Sequence, residues 1–170
     1  MNAVEALRTR RSIRTYADRP VERAVMEEIV DCARLAPTAM NDQPWEFVVI
    51  TERAALESIP PLLGHAAYIG KAAFAVLVLG KPTNANGSPA GYVVEDCSAA
   101  TENLLVAAWA HGIGSCWVAG TKQPYGPAVV KAFGGPADHE LIAIVSFGYP
   151  AETVEIEKRK LEDVLHWERY

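Results

Sequence analysis

Apolar residues recur along this chain with two periods, and the switch between them lays out the elements. Asn2 followed by Glu5 is a capping-box variant and predicts a short helix over residues 3–9. Pro20 and Val21 open a longer helix of about fourteen residues. In it Val21, Val25, Ile29, Cys32, Ala33 and Ala36 fall three and four apart as a buried stripe, with Glu27, Glu28 and Asp31 on the wet side. Phe47-Val48-Val49-Ile50 predicts a buried strand, and residues 54–59 a short helix stopped by Pro60-Pro61. Residues 62–71 read as irregular or weakly helical chain. Residues 73–80 give the clearest buried strand.

The second half repeats the alternation. Residues 81–91, rich in Pro, Asn, Gly and Ser, predict a surface loop that serves as a lid or as a connector. Residues 92–111 predict the longest helix, apolar on nearly every face and therefore buried in the molecule or in an oligomer interface. Its acidic Glu95 and Asp96 suit the dipole of the helix start and are given no catalytic role. Gly112, Gly114 and Gly120 punctuate a strand over 112–120; they permit a bulged turn or close approach of a ligand to the backbone. Residues 127–133 predict a short helix and 140–147 a further strand. The tail carries a basic triplet, Lys158-Arg159-Lys160, and then Leu161, Val164, Leu165 and Trp167, which need a surface to cover.

Two stretches carry candidate chemistry. Between Pro37 and Pro44 a stiff loop presents Thr38, Ala39, Asn41 and Gln43 beside Trp45. One reading is a helix stop with an Asx turn; the other is recognition of a flat heterocycle by two carboxamides, each with donors and an acceptor. Arg10-Arg11-Ser12-Ile13-Arg14 packs three guanidiniums and a hydroxyl into five residues. It is either a solvated basic run or a docked segment whose forks match phosphate oxygens.

Composition narrows the function. A chain of 170 residues is one domain by length, and a net charge of −5 argues against a nucleic-acid face. No apolar run approaches a membrane span, and the N-terminus has no signal-peptide pattern. Cys32, Cys97 and Cys116 are odd in number, far apart and without CxxC spacing. That disfavours a disulfide framework or a metal site and suits a reducing cytoplasm. The glycine pattern at 112–120 is not a Rossmann fingerprint. Four scattered histidines predict no catalytic pair.

Six stretches in register resemble the nitroreductase family of FMN-dependent oxidoreductases. They are residues 10–14, 36–45 (Ala-Pro-Thr-Ala-Met-Asn-Asp-Gln-Pro-Trp), 99–105, 112–117 (Gly-Ile-Gly-Ser-Cys-Trp), 147–150 (Phe-Gly-Tyr-Pro) and 159–164. The resemblance implies an α+β fold with a central mixed, mostly antiparallel β-sheet flanked by helices. It further implies a single domain over 1–170 and an intertwined homodimer whose tail, about 151–170, reaches over the partner. Arg10, Arg11, Ser12 and Arg14 would hold the FMN phosphate and ribityl chain, with Arg159 and Lys160 closing on the phosphate from the tail. Pro37, Thr38, Ala39, Asn41 and Gln43 would line the flavin ring from the other subunit. Trp117 to Gly120 would lie against it, with the backbone N–H of Ala119 or Gly120 at N5. The Asn and Lys that the family often places before its second strand have no counterpart at 64–68. The implied activity is ping-pong hydride transfer from NAD(P)H to a nitroaromatic, quinone or similar acceptor, with no side-chain acid required. A flavin-binding sensor or store, or a dehalogenase-type member of the fold, are the alternatives.

Overall fold

Strands form at Trp45–Ile50 (β1), Phe74–Gly80 (β2), Gly114–Ala119 (β3) and Glu140–Gly148 (β4), and they pair in the order β1-β2-β4-β3. In this computed structural model, which describes residues 1–83 and 91–170, all three strand pairings are antiparallel. Among the described residues the mixed character of the sheet is confined to one parallel bridge, Ser12 to Ser115. β2 and β4 lie inside the sheet with helices on both faces, which is why Phe74–Gly80 is buried throughout and every residue of β4 after Glu140 is too. Phe74 and Phe147 stack across this pair at 4.5 Å. The predicted burial of residues 47–50 holds only at Ile50: Phe47 and Val48 are half-buried and Val49 is exposed, because β1 is an edge strand.

Helices cover the two faces as separate layers. On one lie Arg23–Arg34 (α2) and the 18-residue Val93–Ala110 (α4), packed on Phe74, Val76, Val145 and Phe147. On the other lie Arg53–Leu63 (α3) and Gly126–Ala132 (α5), packed on Leu77, Leu79, Leu141 and Ile144. The first helix, Ala3–Thr9 (α1), is capped by Asn2 Oδ1, which accepts from Glu5 N at 2.9 Å. It rests on α4, where Trp109 Nε1 donates to Thr9 Oγ1 at 2.9 Å.

Pro60-Pro61 does not stop α3; the helix runs through both to Leu63. The two prolines remove the N–H groups that would reach Leu56 O and Glu57 O. Burial of Leu56, Ile59 and Leu63 on the sheet outweighs that loss, and Gly64 closes the last turn with φ 75° and its N–H on Pro60 O. Of the loop predicted at 81–91, residues 84–90 lie outside the described residues, and the lid reading with them.

Candidate functional site along the β3 edge

Residues 10–14 leave α1 as extended chain and dock beside the first half of β3. Ile13 N donates to Ser115 O at 2.9 Å, and Ser12 bridges Ser115. Ile13 is buried beneath the strip, and Gly114 makes room for it: a Cβ at Gly114 would sit 2.8 Å from Ile13 Cβ. Tyr16 fastens the far end. Its hydroxyl donates to Ile13 O at 2.7 Å, which leaves Ser146 Oγ, at 2.8 Å, to donate to it. Glu152 Oε1 accepts from Arg14 N at 2.6 Å and Thr15 N at 2.9 Å, which holds that carboxyl below its ordinary range. The strip is therefore docked and not a solvated basic run.

Alternation along extended chain sets Arg10, Ser12 and Arg14 on one side and Arg11 and Ile13 on the other. Arg11 folds its Nη1 back onto Arg8 O and Arg10 O, at 3.1 and 2.8 Å. Arg10 Nε lies 3.4 Å from Glu102 Oε1 on α4, near enough for an ion pair but misaligned for a hydrogen bond. The Nε atoms of Arg10 and Arg11 and the Ser115 hydroxyl are buried without a hydrogen-bond partner among the described residues. Buried guanidinium donors left open in this way are costly unless an acceptor arrives. Arg14 extends over the Tyr68 ring at 5.9 Å, and the Tyr68 hydroxyl shares a hydrogen bond with Cys116 Sγ at 3.2 Å. Burial first, and then that bond, push the Tyr68 phenol above its ordinary range, so it stays neutral.

The second half of β3 is open on its outer side. Gly120 N donates inward to Ile142 O at 2.9 Å, so by antiparallel alternation the Ala119 N–H faces away from β4. Of the two amides considered at this point, Gly120's is spent in the sheet and Ala119's faces outward. Gly120 answers to packing, since a Cβ there would meet Leu141 Cγ at 2.6 Å and Leu141 O at 2.8 Å. Trp117 is half-buried on the α4 side, and Tyr125 OH donates to Ala119 O. Beyond Gly120 a cleft of about 670 Å³ opens between α5 and the start of β4, with Lys122, Lys131 and His139 in its wall.

The loop over 37–43 stands elsewhere. It precedes β1, at the opposite edge of the sheet from β3, so one chain does not bring it to the arginine strip. Its backbone is strained: Met40, Asn41 and Gln43 have φ of 52, 59 and 47°. Left-handed backbone in non-glycine residues costs on the order of 1–3 kcal/mol each, less for Asn. Thr38 Oγ1 accepts from Gln43 N at 3.3 Å, and Gln43 Nε2 donates to Asn41 O at 3.2 Å. The Gln43 amide thus serves the turn itself, while Asn41 is exposed. Asp96, assigned from sequence to the helix dipole alone, is buried, and its Oδ1 accepts from Ala39 N at 3.0 Å. Its neighbour Cys97 is pushed up to about 12 by burial and then by the Asp96 carboxylate, so it is no nucleophile.

The tail residues are likewise apart from the strip. Arg159 Nη2 donates to Asp163 O at 2.6 Å and Lys160 lies 3.7 Å from Glu162. Every residue from Glu155 onward is exposed, Leu161 at 69% and Trp167 at 76%. Sequence reasoning missed Tyr16, Tyr68, Glu102 and Glu152 around the strip, and the loop contact of Asp96. Only Asp96 left a signal, a charge beside buried Cys97 in a helix apolar all round.

Known proteins share this architecture. A protein of Archaeoglobus fulgidus, provisionally named an NADH dehydrogenase/NAD(P)H nitroreductase, is 36% identical over 95% of each chain. A crystal structure from Bacteroides thetaiotaomicron with the same provisional name superimposes with a TM-score of 0.89 at 31% identity, over 99% of this chain and 98% of that one. The fold also matches a protein described as an FMN-dependent nitroreductase from Clostridium difficile, with a TM-score of 0.87 at 22% identity over 98% of this chain and 99% of that one. The family model for nitroreductases matches residues 7–86 and 61–149. With the strip, the β3 edge and these relatives in agreement, this chain belongs to the nitroreductase family.

Proposed function

We propose that the chain is an FMN-dependent oxidoreductase that takes electrons from NAD(P)H and passes them to nitroaromatics, quinones or similar acceptors in a ping-pong cycle. One observation carries the reading: the open guanidinium donors of a docked arginine strip lie on the same strand edge as the outward Ala119 N–H. Ser115 and Ala119 are about 13 Å apart at about 3.3 Å per residue. That suits a ligand with an anionic end and a flat ring at the other.

Residues present fit FMN. Arg10, Ser12 and Arg14 share one side and would take the phosphate and ribityl oxygens, with Arg11 behind them. Glu102 tempers the Arg10 charge, so Arg14 carries the larger share of the attraction. Trp117, Ala119 and Gly120 would border the ring, the Ala119 N–H donating to it. FMN, once bound, supplies the acceptance of hydride from the nicotinamide and its delivery to the acceptor. The protein contributes placement, fixed donors and partial exclusion of water.

The reading includes a homodimer. Val4 and Leu7 of α1 are more than half exposed, as are Leu161 and Trp167 of the tail. A groove of about 750 Å³, lined by Val21, Met26, Val30, Phe47, Val49 and Ala73 between α2 and the open edge of β1, offers such a tail an apolar bed. A partner would also supply Pro37, Thr38, Ala39, Asn41 and Gln43, and Arg159 with Lys160, to the ring and the phosphate.

The deciding experiment is an anaerobic visible spectrum before and after NADH and then NADPH. Bleaching of a flavin spectrum supports the reading and reports the donor preferred. A flavin spectrum that persists with both donors moves the reading to flavin storage or sensing, or to another electron donor. Absence of flavin uptake after incubation with FMN refutes the cofactor. Arg10→Ala with Arg14→Ala should give folded protein depleted of flavin, since each charge-assisted bond lost costs about 1.5–3 kcal/mol. Full occupancy in that variant would remove the phosphate assignment.

A further inference from the structure

We infer that Asp96 is a positioning residue for the 38–43 loop, holding that loop in the shape that receives the flavin ring; the inference rests on the proposed flavin site. Three non-glycine residues of the loop, Met40, Asn41 and Gln43, stand in left-handed backbone within four positions. Such a run persists only where its surroundings over-determine it. The loop's own bonds are all local: Asn41 N to Thr38 O at 3.3 Å, Asp42 N to Ala39 O at 3.0 Å, Gln43 N to Thr38 Oγ1 at 3.3 Å, and Gln43 Nε2 to Asn41 O at 3.2 Å. Its C-terminal end is tied to the sheet, where Lys81 N donates to Pro44 O at 2.9 Å and Trp45 is buried.

At the other end the tie is Asp96. Its carboxylate, 7% exposed, reaches from the first turn of α4 to Ala39 N at 3.0 Å, across 57 positions of sequence. A carboxylate accepting a backbone N–H gives a stronger bond than a neutral acceptor. The start of an 18-residue helix is also where a buried negative charge is least costly. An acidic residue serving only the helix dipole would do so from the surface, as the exposed Glu95 does. Burial and aim together assign Asp96 to the loop. The Ala39 N–H is bonded just before Met40, so losing it frees the strained residues to relax toward right-handed backbone.

The test compares Asp96→Ala with Asp96→Asn, which keeps an acceptor oxygen. The readouts are hydrogen exchange at the Ala39 amide without flavin, and FMN affinity by fluorescence quenching. Asp96→Ala should speed Ala39 exchange and weaken FMN about ten- to a hundred-fold. Asp96→Asn should stay within about three-fold of the parent in both, as the neutral bond is weaker but present. Unchanged Ala39 exchange in Asp96→Ala overturns the proposal, as does equal loss of FMN affinity in both variants with Ala39 still protected. Should Asp96→Ala fail to fold, Asp96→Ser replaces it, its shorter side chain unable to span the gap, and the same criteria apply. Where the parent protein binds no FMN, the flavin site falls, yet Ala39 exchange still decides the clamp.

Discussion

Gly114→Ala isolates the contact that seats the arginine strip. The new Cβ would lie 2.8 Å from both Cβ and Cγ1 of Ile13 and 3.1 Å from Cγ2. Carbon atoms prefer about 3.5–4.0 Å, so strip and strand must part by roughly 0.7–1.2 Å. Ile13 cannot swing aside, being β-branched and 1% exposed. Overpacking of this kind costs about 1–3 kcal/mol, which for a chain of this length lowers Tm by about 2–12 °C. The displacement also stretches the bond from Ile13 N to Ser115 O and moves Ser12 with it, so FMN affinity should fall in the same variant. Gly91→Ala is the control: among the described residues a Cβ there meets nothing within 4 Å, so its Tm should hold within about 2 °C. Thermal melting and flavin titration of both variants measure the effect. A Gly114→Ala protein that melts with its parent and binds FMN equally would refute the close-approach argument.

Further outcomes follow from the groups around the strip. Tyr16→Phe removes the donor to Ile13 O and should cost about 1–3 kcal/mol, read by denaturant unfolding. Burial raises the Tyr16 and Tyr68 phenols above their ordinary value of about 10, so unfolded chain releases those protons first. Stability should therefore decline as pH rises past about 10, and Tyr16→Phe should flatten that decline. Glu152 is shifted the other way by the amides of Arg14 and Thr15. Its contribution is complete above the ordinary glutamate range and is lost as pH falls below about 4.3, through its lowered value; Glu152→Gln should show a shallower loss in that window. For the proposed dimer, light scattering should give twice the chain mass, and a chain ending at Val154, which keeps Glu152 on the strip, should be monomeric. A dimer that survives the truncation would show that the tail is dispensable for pairing.

Elements fixed by local chemistry were legible in the sequence. The Asn2 cap, the buried run of β2, the long α4 and its stop at Gly112 all formed where periodicity set them. What escaped depends on neighbours distant in the chain. Pro60-Pro61 reads as a stop because the sequence does not display the sheet face under Leu56, Ile59 and Leu63. Phe47-Val48-Val49-Ile50 has the composition of an interior strand, and only the strand order makes it an edge. Within the candidate site the strip was legible because docking and charge share five residues. Gly120's role in packing against Leu141, and the reach of Asp96 to Ala39, belong to tertiary contacts that no spacing rule encodes.

The strand order also sets a timetable during synthesis. β4 is the last strand in the chain, yet it lies between β2 and β3. Until it emerges, the two strands it joins have no hydrogen-bonded neighbour in common, and the wholly apolar β2 is covered along one edge only, by β1. At about 5–20 residues per second, translation from Gly80 to Glu140 takes about 3–12 seconds. During that interval the nascent chain exposes a sticky edge, a natural target for chaperones at the ribosome. Ser115 in turn offers its carbonyl to the arginine strip on a strand that awaits β4. The docking of the arginine strip on β3, although its residues precede β3 by about a hundred positions, is thus among the last contacts of the fold to set.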